Sequence, residues 1–156
     1  MPFPTTFQIE SESIFKFIKN VDIRNKNSAK QYQSRLLFFE RFAKDYYYNK
    51  KDNKSNNNVD KLIQQLKDKE LDPYDILNNF CLFLQTNYNL GTLAFRDKII
   101  TVKTFLEYND IEISPRKFKI KVRFPKIVMR NKEALDKNDI VRILNGCSDI
   151  KLKTLM

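Results

Sequence analysis

The residues best placed to do chemistry in this chain are cations, and they come in three groups. Lys26, Lys30 and Arg35 form the first, Arg96, Lys98 and Lys103 the second, and Arg116, Lys117, Lys119, Lys121, Arg123, Lys126 and Arg130 the third. Ammonium and guanidinium groups donate charge-assisted hydrogen bonds to oxyanions, and a cluster of them recruits a polyanion. The chain carries 29 basic against 19 acidic residues, a net charge of +10. Nucleic acid is the first partner that this balance implies and an anionic membrane the second. A lysine- and asparagine-rich composition alone would spread the excess evenly; here it is clustered.

Other chemistries have less to stand on. The carboxylate pairs Asp72/Asp75 and Asp136/Asp139 each fall at a helix start, where capping explains them. Cys81 and Cys147 lie far apart within apolar helical patterns and read as small buried residues. There is no histidine, so a zinc site would lack its usual ligands, and no cofactor is expected. No apolar run approaches the roughly 18 residues of a membrane span. No cationic segment followed by an apolar one opens the chain, so the expected location is the cytoplasm, with no membrane partner.

The elements that must position the cations read as helices. Gly occurs only twice, at Gly91 and Gly146, which argues against a β-rich fold of tight turns and for an all-α one. Residues 1–11 read as a flexible arm. Ser13–Lys19 predicts a short amphipathic helix with Ile14, Phe15 and Ile18 inward, and Val21–Asn27 a polar connection. A long helix follows over Ser28–Tyr48, with Tyr32, Leu36, Phe39, Ala43 and Tyr46 at helical spacing. Asn25 and Ser28 compete as its cap. Lys26 and Lys30 oppose the dipole of that helix start, a cost that points to a phosphate. Asn49–Asn58, NKKDNKSNNN, predicts a mobile loop.

Val59–Lys69 predicts a short helix with Leu62, Ile63 and Leu66 inward. Asp72-Pro73 signals the start of the next, over Pro73–Thr86. That helix carries Ile76, Leu77, Phe80, Cys81 and Leu84, apolar around much of its circumference, and is placed at the bundle centre. Gly91–Asn109 is the helix around which the chain is expected to be organised. Leu93, Ile99, Val102, Phe105 and Leu106 form its inward stripe, and Arg96, Lys98 and Lys103 are offered outward. Ile111 and Ile113 are expected to fold back on the bundle.

In Ser114–Lys132, Ser114-Pro115 opens at most a helical turn. Lys117, Lys119, Lys121 and Arg123 then alternate with Phe118, Ile120, Val122 and Phe124, a strand-like period of two that stops at Pro125. Residues 113–132 are accordingly expected to be an extended basic tether, suited to a phosphate backbone. Asp136 predicts a further helix start, with Ile140, Ile143 and Leu144 inward and Gly146 as its end. Residues 133–156 read as the opening of a second domain that is cut short.

Four places in this order carry a family resemblance: Ser28, Tyr32, Leu36 and Phe39; Leu90-Gly91 with Val102-Lys103-Thr104-Phe105; the basic run around Pro125; and Ala134-Leu135-Asp136-Lys137-Asn138-Asp139-Ile140 with Ile143-Leu144. From about residue 12 to residue 156 the chain resembles the N-terminal half of a tyrosine recombinase, a phage-type integrase of the archaeal kind. The resemblance implies a SAM-like core-binding bundle of four main helices over residues 12–112, whose first and last long helices face the major groove of double-stranded DNA. It also implies partners in other recombinase protomers and in a C-terminal catalytic fragment, and a nucleoid-associated location. The family cleaves with a tyrosine assisted by arginines, a lysine and histidine, all in the catalytic domain. This chain ends at Met156, before those arginines, and has no histidine. Tyr46, Tyr47, Tyr48, Tyr74, Tyr88 and Tyr108 stand on the wrong domain to be nucleophiles. The expectation is a chain that binds duplex DNA and does not cut it. A helical RNA- or DNA-binding regulator unrelated to recombination, and a non-catalytic interaction protein, stay open as alternatives.

Overall fold

In the computed structural model of the chain, residues 9–49, 58–125 and 137–146 are described. They form seven helices and, among the described residues, no strand: α1 Glu12–Arg24, α2 Lys26–Asn49, α3 Asn58–Lys67, α4 Pro73–Asn87, α5 Thr92–Tyr108, α6 Pro115–Lys121 and α7 Lys137–Gly146. The chain is all-α. Most of the expected loop over Asn49–Asn58, the start of the arm, residues 126–136 with the Asp136 cap, and the tail from Cys147 lie outside the described residues.

The hub is α2, not α5 or α4. It packs against α1, α3, α4 and α5. Leu36, Leu37, Phe38, Phe39 and Glu40 are all buried, as are Phe42 and Ala43. Consecutive residues point in all directions around a helix, so an unbroken buried run marks one covered on every side. Tyr32 and Tyr46 are only partly buried against the core. The sequence pattern shows the stripe and understates this enclosure.

Local signals explain the helix ends. The backbone N–H of Asn25 donates to Val21 O and closes α1, while Asn25 Oδ1 accepts from the amides of Asn27, at 2.9 Å, and Ser28, at 3.1 Å, and opens α2. Of the two competing caps, Asn25 is the one used. Asp72 caps α4 by accepting from the Tyr74 amide at 2.8 Å. Gly91 caps α5 through its backbone alone. After α3 and α5 the chain turns through left-handed residues that are not glycine, Lys69 (φ 59°) and Asp110 (φ 63°). In both turns an amide reaches five residues back, Glu70 to Gln65 O and Ile111 to Leu106 O, the Schellman closure of a helix. Ile111 and Ile113 are buried, as their spacing predicts.

Several expectations are corrected. The first helix continues through the supposed polar connection to Arg24; Phe17, not Phe15, faces inward, and Phe15 is 51% exposed. Its N-terminus is anchored rather than loose. Ser11 is buried and is its cap, and two carboxylates from distant helices complete the job. Glu40 Oε1 accepts from the amides of Glu10 (2.9 Å) and Ser11 (3.1 Å). Asp60 accepts from the Ser11 hydroxyl (2.9 Å) and the amides of Glu12 and Ser13 (3.1 and 3.0 Å). Second, Leu93 is exposed, and the inward face of α5 is Phe95, Ile99, Val102, Phe105 and Leu106 with Lys98 and Thr101. Third, within the predicted extended tether Pro115–Lys121 form α6. Pro115 at the first position favours helix, and Phe118 and Val122, four apart, are buried. The Ser114 amide donates to the Tyr74 hydroxyl at 2.9 Å and Asn78 Nδ2 to Lys121 O at 3.1 Å, which fasten α6 to α4. Ile140 on α7, expected inward, is 46% exposed.

Burial alone would raise the Asp60 carboxyl, but hydrogen bonds from Ser13, Ser11 and Glu12 hold it below its ordinary 3.8. Burial raises the Glu40 carboxyl, and the Glu10 and Ser11 amides and Lys44 only partly oppose it. The depressed Asp60 value means its stabilisation is complete above pH 3.8 and is lost as pH falls through the lower folded-state value. Asp60→Ala should cost about 1–3 kcal/mol in urea denaturation at neutral pH and flatten this acid limb; unchanged stability in both ranges would remove Asp60 from the anchoring of α1. Lys69→Gly should raise stability by about 1 kcal/mol, because glycine adopts the left-handed conformation without the Cβ penalty. A drop on the same denaturation curve would contradict that account.

Candidate nucleic-acid interface

Residues far apart in sequence meet where the early turns of α2 and α5 lie side by side. Phe39 of α2 and Phe105 of α5 are in edge contact, with centroids 6.2 Å apart. One turn earlier on each helix, Arg35 meets Thr101 and Asp97. Its Nη2 donates to Asp97 Oδ2 at 3.1 Å and its Nη1 to Thr101 Oγ1 at 3.4 Å. Thr101 Oγ1 in turn donates to the Asp97 carbonyl at 2.8 Å. Above this contact the helices part and leave an open cleft of about 660 Å³, lined by Lys30, Gln31, Gln33, Ser34, Arg35, Ala94, Asp97 and Lys98. Its charged lining is Lys30, Arg35 and Lys98 against the single carboxylate of Asp97, so the cleft is electropositive.

Lys98 is the unusual member. It is only 9% exposed, and its ammonium lies 4.4 Å from the centre of the Phe38 ring. Burial, and then the neighbouring Arg35, push its pKa down, with Asp97 partly opposing. Its stem is core and its charge is at the cleft wall.

The second group of cations is split. Arg96 and Lys103 are seven residues apart and share one flank of α5, while Lys98 lies about 200° round the helix from Arg96. Lys103 binds Glu107 at 2.6 Å and sits 5.7 Å from the Phe118 ring, which puts that flank beside α6. There α6 contributes Arg116, Lys117, Lys119 and Lys121, followed by Arg123. Lys121 is committed to Asp72, at 3.0 Å, and to the Tyr74 ring, at 4.9 Å. Asp72 is lowered as a result: the Tyr74 amide and Lys121 outweigh its burial. Because α6 is a helix, its cations fan out instead of forming the expected single strip. Lys26, Lys30, Arg96, Arg116, Lys117, Lys119 and Arg123 are exposed, and no ion pair joins any of them to a described residue. Lys126 and Arg130 lie outside the described residues.

The sequence reading missed Asp97, Thr101 and Phe38. The signal available was the run Ala94, Asp97, Thr101 at helical spacing, a small and polar flank between two apolar ones. The tyrosines are structural where they are described. Tyr74 and Tyr88 are buried, Tyr88 taking a hydrogen bond from Arg41 at 3.2 Å, and Tyr108 packs on Phe17. Among the described residues no group of His, Cys, Asp or Glu could hold a metal ion, and no helix is long and apolar enough to cross a membrane.

Comparison with protein-family models, with curated proteins and with solved structures returned no match.

Cys81 is buried and free, and burial pushes its thiol up to about 12. The thiolate is the reactive form, so a buried high-pKa thiol is inert. In a Cys147→Ser background, iodoacetamide at mildly alkaline pH should leave Cys81 unmodified in the folded chain and modify it fully in denaturant. Rapid labelling of the folded chain would contradict its place in the core.

Proposed function

We propose that this chain is a duplex-DNA-binding module that does not itself cut DNA, the DNA-gripping portion of a tyrosine recombinase with a SAM-like core-binding bundle. The observation that carries the binding is the assembly of Lys30, Arg35 and Lys98 into one cleft between α2 and α5. The unpaired cations of α6 support it from the far flank of α5. A duplex presents phosphates in two rows that flank a groove, and two basic flanks separated by a helix suit that geometry. The order of the helices, with long basic ones at α2 and α5, supports the recombinase reading through the resemblance. Partners are then double-stranded DNA, other protomers and a catalytic fragment, at the nucleoid in the cytoplasm. Of the paired carboxylates, Asp72 is occupied in capping α4 and binding Lys121, which supports a non-catalytic reading.

One observation favours an interaction protein as the second reading. Leu93, Ile100 and Tyr108 lie on the solvent side of α5 and Ile120 on that of α6, all of them exposed. A protein partner would cover such side chains and a phosphate backbone would not.

Fluorescence anisotropy separates the readings. The chain should bind a mixed-sequence duplex more tightly than a single-stranded RNA, with affinity falling steeply as salt rises. Replacing Lys26, Lys30, Arg96 and Lys119 together by Ala should leave thermal stability intact and weaken duplex binding at least tenfold. The slope of log affinity against log salt should shrink by about 0.9 for each phosphate that the variant no longer neutralises. A preference for RNA would shift the reading to an RNA-binding regulator, and salt-insensitive or absent binding to an interaction protein.

A further inference from the structure

An ammonium at the wall of an open cleft is a ready donor, and Lys98 has no acceptor of its own among the described residues. Its stem is buried at the wall of the cleft against the Phe38 ring, its nitrogen is not sealed from solvent, and it makes no hydrogen bond or ion pair among the described residues. The nearby carboxylate, Asp97, is bound to Arg35 instead. That pair is held by one contact, Nη2 to Oδ2, rather than by the stronger two-point fork, and the Asp97 side chain is half exposed. The cleft thus holds an ammonium with no ion-pair partner and a guanidinium tied to Asp97 at one point and to Thr101 at 3.4 Å.

We infer that the cleft is a single-oxyanion seat for one phosphate group, with Lys98 as its floor, and that Asp97 is a competitor the phosphate displaces from Arg35. Lys98 donates to one phosphate oxygen, Arg35 leaves Asp97 to bind another, and Lys30 closes the site from the rim. Asp97 then sets the threshold for binding. It keeps Arg35 from weak anions and yields it to a phosphate already held by Lys98. No covalent bond changes. This deepens the proposed function and rests on it for the source of the phosphate, a DNA backbone; the site itself requires only phosphate chemistry.

The two parts are tested separately. Inorganic phosphate is titrated into the isotopically labelled chain at constant ionic strength set with chloride, and the side-chain signals of Lys98 and Arg35 are followed by NMR. Both should shift and saturate together. Lys98→Met keeps the stem over Phe38 and removes the charge; it should abolish saturation at Arg35 and weaken phosphate at least tenfold, by the loss of a charge-assisted hydrogen bond. Asp97→Asn should tighten phosphate about threefold to fivefold, the worth of a partly exposed ion pair. Non-saturating shifts in the wild type, or saturation retained in Lys98→Met, would overturn the seat. Unchanged affinity in Asp97→Asn would overturn the displacement. Duplex binding is then measured on the same proteins. Phosphate seated in the cleft together with no duplex binding would sink the DNA reading while keeping the site. Duplex binding indifferent to Lys98→Met would keep the DNA reading and sink the site as its phosphate contact.

Discussion

The contact between Phe39 and two rings from other helices sets everything else in register. Its ring meets Phe80 of α4 edge-on at 5.4 Å and Phe105 of α5 at 6.2 Å. All three are fully buried. Large aromatic side chains in a dense interior tolerate little sliding, so this triad fixes α2 against α4 and α5. A step of one turn back along both helices, from Phe39 to Arg35 and from Phe105 to Thr101, brings the polar contact of the cleft into line. The cleft is the place where the same two helices run past the end of their apolar contact.

Charge is distributed accordingly. Cations near the bundle's own acids are committed to structure: Lys44 to Glu10, Lys103 to Glu107, Lys121 to Asp72. These are surface or half-exposed pairs and contribute modestly to stability. The cations outside such pairs gather in the cleft and along α6, where they repel one another. A polyanion relieves that repulsion, which is why net charge is informative about the partner and uninformative about the fold.

Much of the scaffold was legible. Asp72-Pro73 marks the start of α4 without ambiguity, and the inward residues of α3 and α4 follow directly from spacing. What was not legible depends on tertiary contact. Alternating Lys and apolar residues over 117–124 satisfy a period of two and, through Phe118 and Val122, a period near four as well; docking on α4 decides between them. Lys98 reads as a surface cation by type, yet its spacing from Val102 and Phe105 puts it on the buried side of α5. The cleft was half legible. The sequence places basic residues on the two helices, but nothing in it shows that Arg35 and Asp97, 62 positions apart, become neighbours.

The anchoring of α1 has a consequence for the order of events during synthesis. The amides that open this helix are satisfied by Glu40 and Asp60, on helices made later. A nascent chain leaves the ribosome from its N-terminus, so α1 emerges with its first turn capped by Ser11 alone. An isolated helix of this length is marginal in water. It gains its last acceptor only when residue 60 has cleared the exit tunnel and α3 has come back to meet it. The start of α1 is therefore secured only once α2 and α3 have been made, though α1 itself is made before both.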